Sequence, residues 1–304
     1  MTLTRVAGAS HRPSRPNHKR RTGWFFVAPS MIVVLLVTIF PTVYSLGLSL
    51  FKWEINLQDK PFIGLGNYLQ LVQDERFIHS IWVTLLITVV GVSVELAMGF
   101  AFAMVVFRKV KAQRLVVGLM LLPVMVMPVV VGLTWRLLWD TQYGPINQII
   151  GWIIGQPFHF VWLAQTWSAL VAIITTEIWQ WTPFMFLIIL SGLATLDAEV
   201  FEAADIDGAS GWVKFRHLTL PLMRPIILVA LLIRGVDCLK SFDIIFTTTR
   251  GGPGTSTETI TMYIYTVGYK FFRLGYGAAA SFILLIVLAI VLTRLLKVLR
   301  DVWE

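Results

Sequence analysis

Thiol chemistry is almost missing from this chain: its single cysteine, Cys238, stands inside an apolar segment. Neither an intrachain disulfide nor a thiolate metal cluster can be built from one sulfur. Charge is scarce as well, with Asp, Glu, Lys and Arg making 14% of residues against about 25% in soluble domains. The five histidines, His11, His18, His79, His159 and His217, have no metal-ligand spacing, and none pairs with a Ser or Cys in a nucleophile motif. Gly251-Gly252-Pro253-Gly254 is followed by no GK[ST], so it reads as a turn and not as a phosphate loop. Hydrolytic, metal and nucleotide chemistry therefore have no residues to work with, and the chain is expected to be no enzyme and to bind no cofactor.

Apolar sequence takes the place of what is missing. Hydrophobic residues make 57% of the 304 and the mean hydropathy is +0.75, a balance that leaves too little charge to cover a soluble surface. A bilayer-spanning helix needs about 20 apolar residues, and six stretches qualify, at about 24–50, 81–107, 115–139, 166–193, 226–249 and 275–296. The expected fold is an all-α membrane protein with six transmembrane helices. The first stretch is too long for a secretory h-region and no small-residue cleavage pattern follows it, so it is expected to remain as an anchor. A shorter run, Ile146 to Ile154, is broken by Gly151 and followed by Gly155, and reads as an interfacial helix.

The net charge of +8 would suit a nucleic-acid partner only if it were gathered on one face, and it is spread along the connections instead. Arg5, Arg12, Arg15, Lys19, Arg20 and Arg21 fill the first segment, and residues 1–23 read as a disordered basic tail. Arg108, Lys109, Lys111 and Arg114 fall in the second connection, Lys214, Arg216 and Arg224 in the fourth, and Arg294, Lys297 and Arg300 at the end. The excess of Lys and Arg in alternate connections places both termini in the cytoplasm. The opposite connections, 51–80 and 140–165, carry Trp53, Tyr68, Tyr143, Trp152 and Trp162, rings suited to anchoring at a headgroup boundary or to stacking on a sugar.

The connection 194–225 is punctuated like a folded element. Asp197 can cap a helix through Glu199, Phe201 and Ala204, Gly208 can supply the positive φ that ends it, and Ser210 can cap a second helix that Pro221 stops. Two uses are open for such a hairpin: capping its own bundle, or docking a partner on the cytoplasmic side. The string Glu202-Ala203-Ala204, Asp207-Gly208-Ala209, Phe215 and Leu220-Pro221 closely resembles the EAA loop of ABC-importer permeases, with Leu218 where isoleucine is usual. Residues 128–147, 177–193 and 242–260 are similar to the sugar-permease branch of that family, the MalF- and glycerol-phosphate-type subunits, and most of all to its trehalose importers.

That resemblance implies the type I importer permease fold in a cell membrane and alternating-access import of a sugar, a disaccharide and by best guess trehalose. It also implies the partners: a second homologous permease, two ATP-binding subunits that hold ATP and Mg, and an extracytoplasmic solute-binding protein or lipoprotein. Glu202, Ala203, Ala204, Asp207, Gly208, Ala209, Phe215, Leu220 and Pro221 would be the coupling residues.

Glu95, Glu177 and Asp237 fall near the middle of their stretches, where a charge costs roughly 2.5–3.5 kcal/mol and must face protein or water. Asp237, Lys240 and Asp243 recur every three residues, which puts them along one side of the fifth span, and Glu177 and Gln180 share a side of the fourth. One reading is a solute pathway of Glu177, Gln180, Asp237, Lys240 and Asp243 flanked by Trp135, Trp139, Trp179 or Trp181. The other is an ion-pair network of Glu95, Glu177, Arg234 and Lys240 that only fixes helix register. Pro123, Pro128 and Pro183 lie inside spans, as breaks beside a cavity or as packing kinks. An ion-coupled secondary transporter or channel is the competing function, with the mid-span carboxylates binding protons or sodium; an intramembrane enzyme would lack a catalytic constellation.

Overall fold

The structure, a computed structural model, describes residues 18–107 and 113–303. Arg5, Arg12 and Arg15 of the expected tail, and Arg108, Lys109 and Lys111 of the second connection, lie outside the described residues. In chain order the helices are α1 His18–Ser49, α2 Gly66–Gln73, α3 Glu75–Phe107, α4 Gln113–Met120, α5 Leu122–Met125, α6 Pro128–Leu138 and α7 Pro145–Ile154. They continue with α8 Thr166–Leu193, α9 Ala198–Ile206, α10 Gly211–Lys214, α11 Leu220–Cys238, α12 Asp243–Thr248, α13 Ile260–Tyr265 and α14 Leu274–Trp303. Among the described residues the one β-type pairing is the isolated bridge between Phe51 and Phe62.

Among the described residues five helical segments are long and apolar enough to cross a membrane: Phe26–Ser49, Glu75–Phe107, Thr166–Leu193, Gly211–Cys238 and Leu274–Asp301. The expected third span, 115–139, is not one helix but the pieces α4, α5 and α6. The break falls at Val126 and Met127, both extended with ψ 135°. Pro128 causes it: its ring excludes the residue before it from the α region, while its missing N–H costs nothing in the first turn of a new helix. The carbonyl of Val126, left without a helical partner, accepts from the Gln180 amide on α8 at 3.0 Å.

The expected fifth span, 226–249, is also corrected. Its helix starts at Gly211, runs through α10 and a π-type turn at Phe215–Thr219 into α11, and ends at Cys238; a new helix, α12, begins at Asp243. Pro221 does not stop it. A proline ring clashes with the carbonyl four residues back, and the wider π turn just before it, with the Leu220 N–H donating to the Phe215 carbonyl five residues back, makes room for the ring.

The bundle is built on α3 and α8. At Gly99 a Cβ would meet the Met185 Cβ at 2.7 Å and the Phe186 backbone nitrogen at 2.8 Å, so the absence of a side chain there lets the two helices touch at backbone level. Val83, Ile87, Ile173, Met185, Ile245 and Met262 form one cluster of the core, Phe100, Ala103, Phe186, Ile189, Leu193 and Met223 a second toward α9, and Leu71, Phe77, Ile260, Tyr263 and Val267 a third. α1 lies against α14 with none of its apolar window buried in the chain, the pattern of a helix whose solvent is lipid.

Candidate functional site

Arg234 on α11 is the centre of the charged groups. Its Nε and Nη2 donate to the two Glu95 oxygens at 2.8 and 3.0 Å, and Nη2 donates to Glu177 Oε2 at 2.6 Å. Nη1 reaches Asp237 Oδ2 at 3.3 Å, and the guanidinium lies 4.7 Å from the Trp181 ring centre. Ser241 donates its hydroxyl to the other Glu177 oxygen at 2.5 Å. Arg234, Glu95 and Glu177 are buried and Asp237 is 49% exposed. One guanidinium thus serves carboxylates from three helices, α3, α8 and α11, and satisfies each by a charge-assisted hydrogen bond.

Beside this knot opens a cavity of about 360 Å³ lined by Pro128, Glu177, Trp181, Arg234, Asp237, Lys240, Ser241 and Asp243, among others. Glu177, Asp237, Lys240 and Asp243, expected to share a pathway, are brought together here, although not along one helix side. The chain leaves helical geometry after Cys238, and Lys240 and Ser241 close tight turns with their N–H groups on Asp237 and Cys238 carbonyls, each at 3.0 Å. The register network also differs from expectation, since Asp237 and not Lys240 completes it.

Of the expected flanking tryptophans Trp181 lines this cavity, whereas Gln180, Trp135, Trp139 and Trp179 lie elsewhere. Gln180 is buried and fastens α8 to the break before α6. Trp135 and Trp139 stand in an aromatic file with centroids 5.6 Å apart, Trp135 5.7 Å from Trp179 and Trp139 5.0 Å from Trp162. Ser241 was carried by no sequence signal, because a lone serine after a helix end is ordinary; Arg234 and Asp237, three apart, were the signal for a helix-surface ion pair.

The hairpin between α8 and α11 is built as its punctuation predicts at Asp197, Gly208 and Ser210, though not at Pro221, which the helix passes. Asp197 accepts from the Glu199 N–H at 3.0 Å and Ser210 from the Val213 N–H at 3.4 Å. α9 ends in a double closure: the Gly208 N–H donates to the Asp205 carbonyl at 3.1 Å and the Ala209 N–H to the Ala204 carbonyl at 2.9 Å, with Gly208 at φ 73°. Only glycine holds that left-handed turn without strain. Lys214 pairs with Asp205 across the hairpin.

The nine expected coupling positions divide by direction. Phe215 lies edge-on to Phe100 at 5.6 Å and, with Leu220, packs on the core of its own bundle. Glu202, Ala203, Asp207, Gly208 and Pro221 are exposed, and Ala204 and Ala209 half-buried. No residue of α9 is buried, and Ile206 is 88% exposed. A hairpin whose only task was to cap its own bundle would turn such a side chain inward.

At the opposite end of the bundle, Asp74 ties three elements. Its Oδ2 accepts from Tyr263 at 2.6 Å and Tyr276 at 2.9 Å, while Oδ1 accepts the N–H groups of Arg76 and Phe77 at 2.9 and 3.2 Å. Burial pushes the Asp74 carboxyl up, but these hydrogen bonds outweigh it and hold the group below its ordinary value. Next to it Arg76 grips Glu258 through two bonds of 2.7 and 2.8 Å.

Membrane-crossing helices around a charged cavity, with a capped hairpin left free at one end, are the build of a transport permease. Residues 22–301 match the family described as binding-protein-dependent transport system inner membrane component. The chain belongs to that family, as a sugar permease subunit of an ABC importer. It is 34% identical over 284 residues to the trehalose/maltose transport system permease protein MalF of Thermococcus litoralis, covering 92% of this chain and 95% of that one. It is 34% identical over 264 residues to the trehalose transport system permease protein SugA of Mycobacterium tuberculosis, covering 86% and 83%. The fold is similar to that of a bacterial alginate ABC transporter solved in complex with its alginate pentasaccharide-bound periplasmic protein, with TM-score 0.78, 23% identity and 91% and 93% of the two chains covered. Its relatives are permease subunits, which are not themselves enzymes.

Proposed function

We propose that this subunit moves a disaccharide, trehalose in the first instance, through an alternating-access pathway whose polar wall is the cavity of Glu177, Trp181, Asp237, Lys240, Ser241 and Asp243. Carboxylate, hydroxyl and ammonium groups there can exchange hydrogen bonds with sugar hydroxyls, and the Trp181 face suits a pyranose ring. Two relatives named for trehalose transport, each 34% identical, support the solute. The energy comes from two partner subunits that hold ATP and Mg and that grip the hairpin at Glu202, Ala203, Ala204, Asp207, Gly208 and Ala209. A second homologous permease completes the pathway, and an extracytoplasmic binding protein or lipoprotein delivers the sugar from the side opposite the hairpin. Both termini lie in the cytoplasm under this reading.

The observation that carries it is α9, an element closed at both ends by its own caps and buried nowhere. An ion-coupled carrier is disfavoured, because Glu95 and Glu177, the buried carboxylates an ion would need, are already engaged by Arg234. The test is an Ala203→Cys variant crosslinked in native membranes, with the captured chain identified by mass spectrometry and the purified complex assayed for ATPase stimulation by trehalose, maltose and lactose. Capture of a nucleotide-hydrolysing subunit supports the coupling, and its absence overturns it. Stimulation by a disaccharide other than trehalose would move the solute and leave the coupling standing.

A further inference from the structure

The hairpin between α6 and α8 carries an element that the transport reading leaves unused. α7 has no charged residue and only one buried one, Asn147. That side chain holds the helix to the bundle: its amide donates to the Thr141 and Phe160 carbonyls at 3.1 and 3.0 Å and its oxygen accepts from Trp162 Nε1 at 2.8 Å. Ile149, Trp152 and Ile153, at spacings of three and four, share the opposite face. They point away from the protein, Trp152 85% and Ile153 70% exposed. The flank of the helix is of another kind, a groove of about 530 Å³ lined by Gln142, Asn147, Gln148, Gln156 and His159 with Trp152 at its edge.

We propose that α7 lies in the boundary of the bilayer at the end of the bundle away from the coupling hairpin, with Ile149, Trp152 and Ile153 among the acyl chains and the glutamine-lined groove in the headgroup layer. Lipid is the occupant because the elements that flank α7 in the chain, in a bundle built to cross a membrane, also turn apolar side chains outward. Leu133 and Leu137 on α6 precede it in the chain and Trp167 and Val171 on α8 follow it, all exposed, so the apolar outward side of α7 has apolar outward sides on both neighbouring elements. A binding protein that docks and leaves would return these side chains to water at each release, a cost that grows with the apolar area exposed. Neutral amides beside apolar side chains and a tryptophan are the composition of an interfacial helix. Because α6 starts at Pro128 in the polar cavity, the anchored α7 holds the far end of one cavity wall.

The experiment uses the full transporter in phosphatidylethanolamine/phosphatidylglycerol vesicles, with Cys238→Ala as background and a nitroxide placed singly at Ile153→Cys, Gln148→Cys and Leu137→Cys. Collision with oxygen, which partitions into lipid, is compared with collision with a water-soluble nickel chelate. The Ile153 label is expected to favour oxygen as Leu137 does, and the Gln148 label to favour nickel. A nickel-favouring Ile153 label would place α7 in water, and one shielded from both reagents would place it under a protein partner. Either result overturns the proposal, while the Leu137 label reports the crossing helix independently.

Discussion

Arg234 on α11 holds Glu95 on α3 with two parallel hydrogen bonds, at 2.8 and 3.0 Å, across 139 residues of sequence. The same guanidinium also neutralises Glu177 on α8, so it stands at the junction of three helices. Arg234→Met would leave two buried carboxylates without a counter-charge, a loss of about 3–5 kcal/mol. A lowered thermal midpoint of the detergent-solubilised complex is the expected outcome. Arg234→Lys should recover only part of it, because an ammonium cannot make the two-pronged contact. An unchanged midpoint in Arg234→Met would show that the knot contributes nothing.

Asp237 and Lys240 are, with Asp243, the exposed charges of the same cavity. Asp237→Asn and Lys240→Met are expected to change the KM for uptake of the sugar while basal ATP hydrolysis stays as in the parent. Unaltered uptake kinetics in both would remove these side chains from the solute path.

Gly208 has φ 73° and open space where a Cβ would project, so a substitution there meets only backbone strain. That strain is roughly 1–2 kcal/mol for an ordinary residue and much less for Asn, which visits the left-handed region. Gly208→Val should abolish uptake with the chain still inserted in the membrane, and Gly208→Asn should keep most of it. Equal uptake in the two would mean that the shape of the hairpin turn is irrelevant to coupling.

Gly99 and Gly192 both sit at helix contacts, but their neighbours differ. An added Cβ at Gly99 meets Met185 Cβ and Phe186 backbone, whereas at Gly192 it meets the side-chain tips Ile226 Cδ1 and Met223 Cε. Overpacking costs about 1–3 kcal/mol where neighbours cannot yield, so Gly99→Ala should lower the thermal midpoint more than Gly192→Ala. The reverse order would contradict the backbone contact between α3 and α8.

Asp74 provides a pH test. A carboxylate held below its ordinary value of 3.8 contributes stability that is fully present above that value and is lost as pH falls through the lower folded value. The parent should therefore exceed Asp74→Asn in thermal midpoint at neutral pH, and the gap should close below about pH 4. A gap that widened on acidification would contradict the hydrogen-bonded tie to Tyr263 and Tyr276.

The hairpin was legible in the sequence almost residue by residue. Asp197, Ser210 and Gly208 bond to backbone groups two or three positions from themselves, and such local bonding depends on little beyond the adjacent chain. The crossing helices were legible for a related reason: twenty apolar residues in a row have one low-energy arrangement in lipid. Where the reading failed, prolines and polar residues were set in apolar stretches. Hydropathy counts Pro128 and Ser241 inside a span, while the backbone breaks at Met127 and after Cys238.

Composition and local pattern by themselves determined that this chain is a helical membrane protein with a capped hairpin, because apolar run length and helix capping are properties of neighbouring residues. Tertiary structure alone decided that Arg234 meets Glu95 and Glu177, that Ser241 joins the cavity, and that Gln180 pins a broken crossing instead of lining a path. Those contacts join helices far apart in sequence, and which faces meet depends on close packing such as that at Gly99, which no single helix encodes.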